Sequence, residues 1–332
     1  MTVLVTGGAG YIGSHMVWAL LDEDEDVVVI DDYTTGFPWA LPKEVKTYNG
    51  DVGDSKLLEA ILKQHDIEAI FHFAGSTVVP ESVVDPLKYY YNNTAKSRTL
   101  IERSARAGVE YFIFSSTAAV YGTPEDLSLV KEDRALAPES PYGYSKLMTE
   151  VMLKHAAEAH GFTFTILRYF NVAGADSKQR TGQSTRNATH LIKSACATAL
   201  GIRPSIEVFG TDYDTRDGTC IRDYIHVSDL VNAHLLALKR MRNGAKSLTA
   251  NCGYGTGFSV LEVLEAVRKA NGDKPFSTKY SPRRAGDPVM VVADPSLAKR
   301  ELRWTPAYND LDFIVRSALN WELHLSKKNI NK

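Results

Sequence analysis

The sequence predicts an α/β chain built on a doubly wound parallel sheet, followed by a smaller mixed α/β lobe. Short apolar strands alternate with helical stretches from the second residue onward. A glycine-rich turn joins the first strand directly to the first helix, and the alternation loosens from Asp176. The 332 residues exceed one average domain, so the expected division is 1–175 for the sheet and 176–332 for the second lobe, with some segments crossing back. A hydrophobic fraction of 44% supports a sizeable core.

Charge and composition exclude several classes. Thirty-eight basic against 40 acidic residues leave a net charge of -2, which gives no footprint for nucleic acid. Cys196, Cys220 and Cys252 have neither metal nor disulfide spacing and fit reduced thiols in the cytoplasm. The nine histidines show no metal spacing either, so no metal is expected. Strand-like residues follow Met1 at once, so no signal peptide is expected, and no apolar run approaches the ~18 residues of a membrane span.

In chain order, Val3-Leu4-Val5 is a buried strand that runs into Thr6-Gly7-Gly8-Ala9-Gly10-Tyr11-Ile12-Gly13. Gly8, Gly10 and Gly13 have the dinucleotide-binding spacing, and Gly7, Gly10 and Gly13 give a second, overlapping spacing. The glycines serve a tight turn, a bare backbone that pyrophosphate can approach, and close helix packing; this is the opening of a Rossmann-type sheet. The helix over 14–22 offers its N-terminal amides to phosphate. Val27–Ile30 is a second buried strand ending at Asp31, 18 residues past Gly13, where a carboxylate binds a ribose diol and repels a 2′-phosphate; NAD is therefore favoured over NADP. Helix 55–65, strand 69–73, helix 87–107, strand 111–114 and strand 163–168 continue the alternation. Ligands of such sheets lie outside the carboxyl ends of the strands. Those ends carry the glycine turn, Asp31, Asp51-Val52, Phe73-Ala74-Gly75, Ser115–Thr117 and Tyr169-Phe170-Asn171.

Between the last two strands lies Ser140-Pro141-Tyr142-Gly143-Tyr144-Ser145-Lys146. Ser140 suits an N-cap, Pro141 the first helical position, and Gly161 the C-terminal stop. Tyr142 and Lys146, four apart, share one helical face. A phenol ionises near ~10, and a fixed ammonium beside it is expected to lower that value, so the pair can take a proton from an alcohol. Taken alone, Tyr-x-x-x-Lys is common on ordinary helix surfaces. After 176, residues 177–189 form a polar loop suited to cover a ligand, helices fall at 190–200, 228–241, 260–271, 297–302 and 309–324, and residues 327–332 are expected to fray.

With these motifs in register, the chain resembles the extended short-chain dehydrogenase/reductase family. Arg168–Ala175, Asp217–Val227 and Arg283-Arg284-Ala285-Gly286-Asp287 narrow the resemblance to its UDP-glucose 4-epimerase branch, over essentially the whole chain. The resemblance implies a held NAD, with Tyr142 taking the proton of a sugar 4-hydroxyl as carbon 4 is oxidised. The 4-keto sugar would then turn and be reduced on its other face. It implies that Thr117 hydrogen-bonds the reacting oxygen and that Lys146 bridges the nicotinamide ribose. It places Tyr11, Ile12, Asp31, Asp51, Val52, Phe73, Ala74, Gly75, Asn92, Ser115 and Phe170 at NAD. It places Asn171, His190, Leu191, Phe209, Arg222, Arg284, Asp287 and Val291 at the UDP-sugar. It also implies a homodimer through a four-helix bundle of 87–107 and 142–160.

Six positions depart from the family pattern or narrow its chemistry. His190 and Lys193 stand where Asn and a small or Pro residue are usual. Thr77 replaces a frequent Lys on the NAD phosphate side. Val291 stands where a bulky Tyr can restrict the sugar's 2-substituent, so room for N-acetylated UDP-hexosamines is expected. Ala118-Ala119 lack the acidic groups that eliminations need. The alternatives are a 4-epimerase of another UDP-sugar (N-acetylhexosamine, pentose or uronate) and a non-catalytic NAD-binding sensor.

Overall fold

The computed structural model describes residues 1–124, 126–185, 188–284 and 286–327. Thirteen strands are found among them: β1 Thr2–Thr6, β2 Asp26–Asp31, β3 Lys46–Asn49, β4 Ile67–His72, β5 Tyr111–Thr117, β6 Thr163–Tyr169, β7 Asn171–Ala173, β8 Ile206–Phe209, β9 Ile221–His226, β10 Leu248–Cys252, β11 Gly257–Ser259, β12 Thr278–Ser281 and β13 Met290–Val291. The helices are α1 Tyr11–Asp22, α2 Ser55–Gln64, α3 Val79–Val84, α4 Pro86–Tyr89, α5 Lys96–Arg106, α6 Pro141–His160, α7 Leu191–Ala199, α8 Val227–Arg242, α9 Val260–Ala270, α10 Ser296–Leu302 and α11 Leu311–Lys327.

Seven parallel strands make the main sheet, in the order β10-β6-β5-β4-β1-β2-β3. Successive residues point to opposite faces, so each strand feeds two cores. Val3, Val5, Val27, Val29, Phe71, Ile113 and Leu167 fill one side. Leu4, Val28, Ile30, Ile70, Phe112, Phe114 and Ile166 fill the other. The chain leaves β1 in one direction towards β2 and β3, and in the other towards β4, β5 and β6. A crevice therefore opens beyond β1 and β4, where ligands of open α/β sheets bind. Strand β10, from the later part of the chain, extends this sheet beside β6. The remaining strands form two small sheets, one around β9, flanked by β11 and β13 and paired also with β7, and one of β8 with β12.

Helix α6 follows the expected rules: the Ser140 hydroxyl accepts from the Gly143 amide at 3.2 Å, Pro141 starts it, and Gly161 ends it at φ 79. Its buried row is Tyr142, Lys146, Glu150, Leu153 and Ala157. The single helix expected over 87–107 is instead divided. Asp85 caps α4, with Pro86 as its first residue, and a π-helical segment Tyr90–Ala95 precedes α5. The wider turn carries an extra residue, a device concentrated at functional sites. It turns Asn93 into the core, where its amide bonds both Ser76 backbone groups and the Ser145 hydroxyl at 2.7–3.0 Å.

All three cysteines are buried free thiols. Among the described residues no helix is long and apolar enough to cross a membrane, and no cluster of three His, Cys, Asp or Glu could hold a metal. Residues 328–332 of the expected frayed tail, and Arg186 and Asn187 of the polar loop, lie outside the described residues.

Candidate active site

The glycine turn leaves β1 with Gly7 at φ 67, a left-handed conformation that glycine tolerates without strain. A Cβ on Gly7 would lie 2.7 Å from the Ala74 amide nitrogen, and one on Gly13 only 2.1 Å from the Gly7 carbonyl oxygen. The backbone of the turn is therefore bare where it meets the N-terminus of α1, a surface suited to pyrophosphate. Asp31 is buried, and its two oxygens accept from the Ala9 and Tyr33 amides, each at 2.8 Å. It thus pins the turn as well as offering remaining lone pairs to a ribose. Burial raises its pKa, against the effect of those two amides.

Other cofactor candidates divide by environment. The Asp51 carboxylate accepts from the Gly53 amide at 2.7 Å and pairs with Lys96 at 2.5 Å. Val52 is part of the core, and Ile12 packs against the opposite one. The Tyr11 hydroxyl donates to the Gly174 carbonyl at 2.7 Å, locking α1 to the segment after β7. Asn92 donates to Ser76 at 3.0 Å. Phe73 stacks against Phe71, and Phe170 is buried with Val120 and Tyr121.

Tyr142 and Lys146 meet the end of β5. The Thr117 hydroxyl accepts from the Ala119 amide at 3.1 Å and lies close enough to the Tyr142 phenol to act on its pKa, lowering it. Lys146 Nζ donates to the Ser115 carbonyl at 2.9 Å and lies 4.9 Å above the Phe114 ring. The Ser115 hydroxyl donates to the Tyr169 phenol at 2.8 Å. One expectation is corrected here. Protein groups alone do not lower the Tyr142 pKa: burial raises it, the Thr117 hydroxyl partly opposes that, and Lys146 is turned towards Ser115. Burial also pulls Lys146 down to about 8, with Glu150 acting to raise it.

Of the nucleotide-sugar candidates, Asn171, Phe209, Arg222 and Val291 lie on strands of the smaller sheets and Leu191 starts α7. Arg222 pairs with Asp287 and donates to the Ile221 carbonyl at 2.7 Å. The Arg284 guanidinium lies 3.6 Å over the Phe209 ring. Val291 is in register with Arg222 and packs in the cluster holding Phe170, Ala118 and Leu147, the neighbour of Lys146. Asn171, His190 and Leu191 line one recess with Tyr11. His190 is exposed and meets the Gln183 amide at 3.1 Å, and Thr77 is exposed beside Ser76.

Two residues near the site, Asn93 and Glu150, were not singled out from sequence. Asn93 sits one residue beyond the chosen Asn92, and only the π-helical turn distinguishes them. Glu150 is the next member of the Tyr142, Lys146 row, a signal the spacing did hold. Lys193 pairs with Glu322 of α11 in the recess lined by His190 and Leu191, which accounts for a lysine where a small residue is usual.

An open parallel sheet with a glycine turn at its switch point, and a buried Tyr–Lys pair beside a threonine, defines a dinucleotide-fold protein equipped for proton transfer. Residues 3–253 match the NAD dependent epimerase/dehydratase family, and the chain belongs to it. It is 54% identical over 325 residues to the UDP-glucose 4-epimerase of Azospirillum brasilense, covering 98% of this chain and 93% of that relative. Its structure is similar to that of the UDP-glucose 4-epimerase from Brucella ovis in complex with NAD, at 40% identity and a TM-score of 0.93, covering 96% and 97% of the two chains. It is also similar to the UDP-Glc/GlcNAc 4-epimerase from Campylobacter jejuni, at 45% identity and a TM-score of 0.85, covering 97% and 99%.

The Lys193–Glu322 pair yields a test. Burial raises the Glu322 pKa and Lys193 lowers it. In Lys193→Met the folded-state value rises further above the unfolded one, so stability is greatest at low pH and is lost as pH rises through the folded value. The unfolding free energy from urea titration should therefore fall for this variant by about 3 kcal/mol at about pH 7 and recover towards about pH 5. An equal deficit at both pH values would show that the carboxylate is not the cause.

Proposed function

We propose that this chain interconverts UDP-glucose and UDP-galactose using NAD, as a 4-epimerase. The observation that carries the reading is the buried contact of Tyr142 with Thr117, beside Lys146, at the switch point of a dinucleotide sheet. The glycine turn, Asp31 and the β4 end fit NAD, because a Cβ on Gly7 or Gly13 would collide with backbone there. When bound, NAD supplies a hydride acceptor and donor and a positive charge beside the phenol. Thr117 and Tyr142 hold the 4-hydroxyl between them, and Tyr142 Oη takes its proton and later returns it. Lys146, whose Nζ donates to the Ser115 carbonyl, would hold the nicotinamide ribose and add positive charge to the site. Arg222 and Arg284 are the cations for the pyrophosphate, with Asn171, Leu191 and Phe209 around the nucleotide. Ala118 and Ala119 have no proton to move, which favours epimerisation over elimination.

We place the division between the NAD-binding and UDP-sugar parts at 175 and 176, with 248–252 serving the first. Buried free thiols support a cytoplasmic location. A homodimer fits the outer faces of the α3–α5 segment and α6, which expose Val83, Leu87, Tyr91, Tyr144, Met148 and Val151. An apolar area of this kind on two packed helices marks an interface. Light scattering should give twice the mass of one chain; a monomer at every concentration would contradict the bundle.

Tyr142→Phe should lower kcat for UDP-galactose by about 10²–10⁴ and leave NAD bound. A parental rate in that variant would refute the mechanism, whereas no turnover by the parental protein would favour a non-catalytic sensor. A second reading, acceptance of N-acetylated UDP-hexosamines, is supported by Val291 at the Phe170 cluster and by the double specificity in the Campylobacter jejuni relative's name. Val291→Tyr should abolish turnover of UDP-N-acetylgalactosamine and spare UDP-galactose. Equal loss on both sugars would remove Val291 from the specificity argument.

A further inference from the structure

Glu150 is fully buried one helical turn beyond Lys146, and nothing in the reaction described above uses it. Its carboxylate is fully engaged. One oxygen accepts from the Ser116 hydroxyl at 2.5 Å and from Arg168 Nε at 2.9 Å, and the other from Arg168 Nη2 at 2.6 Å. Arg168 is itself buried and donates to the Tyr121 hydroxyl at 2.9 Å, which donates to Asn251 at 2.7 Å. One carboxylate therefore fixes β5, β6, the turn after β5 and β10 to α6. Ser116 stands between Ser115, whose carbonyl receives Lys146, and Thr117, whose hydroxyl meets Tyr142.

A buried ion pair that served only to fill space would be matched or bettered by apolar side chains of the same volume. Here the carboxylate also sets the field at Lys146, to which no hydrogen bond binds it. We propose that Glu150 is a positioning residue of the epimerase reaction, holding the β5 end in register with Tyr142 and keeping the buried ammonium of Lys146 charged. The inference rests on the function proposed above.

The groups near Lys146 are Glu150 on α6, His72 on β4, and the Phe114 ring and Ser115 carbonyl on β5; behind them on β6, Arg168 is held by Glu150 and Tyr169 by the Ser115 hydroxyl. Burial drives His72 down to about 3, so it is neutral in the working range. Tyr169 is pushed up by burial and stays a phenol, and Arg168 stays protonated. Lys146, pulled down to about 8 by burial and supported by Glu150, is then the group whose deprotonation ends activity on the alkaline side. Its charged form exists below its pKa, so removing the Glu150 charge moves that limit to lower pH.

The test is the pH profile of kcat/KM for UDP-galactose with NAD-loaded enzyme. Glu150→Gln leaves Arg168 unpaired in the core, so the double variant Glu150→Gln/Arg168→Met, which removes both charges, is measured beside it. In the variant that folds, judged by circular dichroism and bound NAD, the alkaline limb should move acidward by roughly one pH unit, a loss of about tenfold at the upper end. Ser116→Ala, which keeps the carboxylate, should leave the limb in place and lower kcat. An alkaline limb unmoved in folded double variant would overturn the proposal and make the pair purely structural. Inactivity of the parental enzyme would instead sink the function it rests on.

Discussion

Two consecutive residues at the end of β5 are tied to two consecutive turns of α6. The Ser115 carbonyl receives Lys146 at 2.9 Å, and the Ser116 hydroxyl is given to Glu150 at 2.5 Å. These bonds form in the interior, where each is stronger than at a wet surface and where an unmade one is costly. With the strand end and helix so joined, the next residue, Thr117, holds its hydroxyl on the Ala119 amide and within reach of the Tyr142 phenol. A shift of one residue in either element would separate all three. The π-helical turn supports the same junction from the far side, because Asn93 holds both Ser76 and Ser145.

Burial that creates this geometry also sets its chemistry. It holds the phenol above its usual value and the amine at about 8, so neither group is tuned by the other alone. The effect expected from Tyr-x-x-x-Lys in isolation omits that desolvation, which acts on both partners in opposite directions. A cofactor charge and the Glu150 carboxylate are the remaining influences on the pair. Arg222 on β9 and Arg284 in the segment after β12 engage Asp287 and Phe209 instead.

Much of this was legible in the residues, for a physical reason in each case. The strands of the parallel sheet are buried on both faces and show as continuous apolar runs, as in Val27–Ile30 and Phe112–Phe114. The cap at Ser140 and the stop at Gly161 are local signals with local causes. β3 was missed because Lys46–Asn49 is an edge strand with half-exposed, polar residues and no apolar run. The division of the 87–107 helix was missed because an extra residue in a π turn leaves no mark on composition. Long-range pairings, such as Lys193 with Glu322 or Glu150 with Arg168, have no spacing signature at all. The pattern supplied the row on α6 but not the strand residue that answers it.

The central claim is that Tyr142 moves only the hydroxyl proton, while the hydrogen on carbon 4 stays within the closed site. UDP-galactose carrying deuterium at carbon 4, turned over by the purified protein in ordinary water, tests this directly by magnetic resonance of the UDP-glucose formed. The account predicts full retention of deuterium at carbon 4. Replacement of that deuterium by solvent hydrogen would contradict it, because carbon 4 would then have exchanged through a proton and the Tyr142–Thr117 geometry would serve a different reaction.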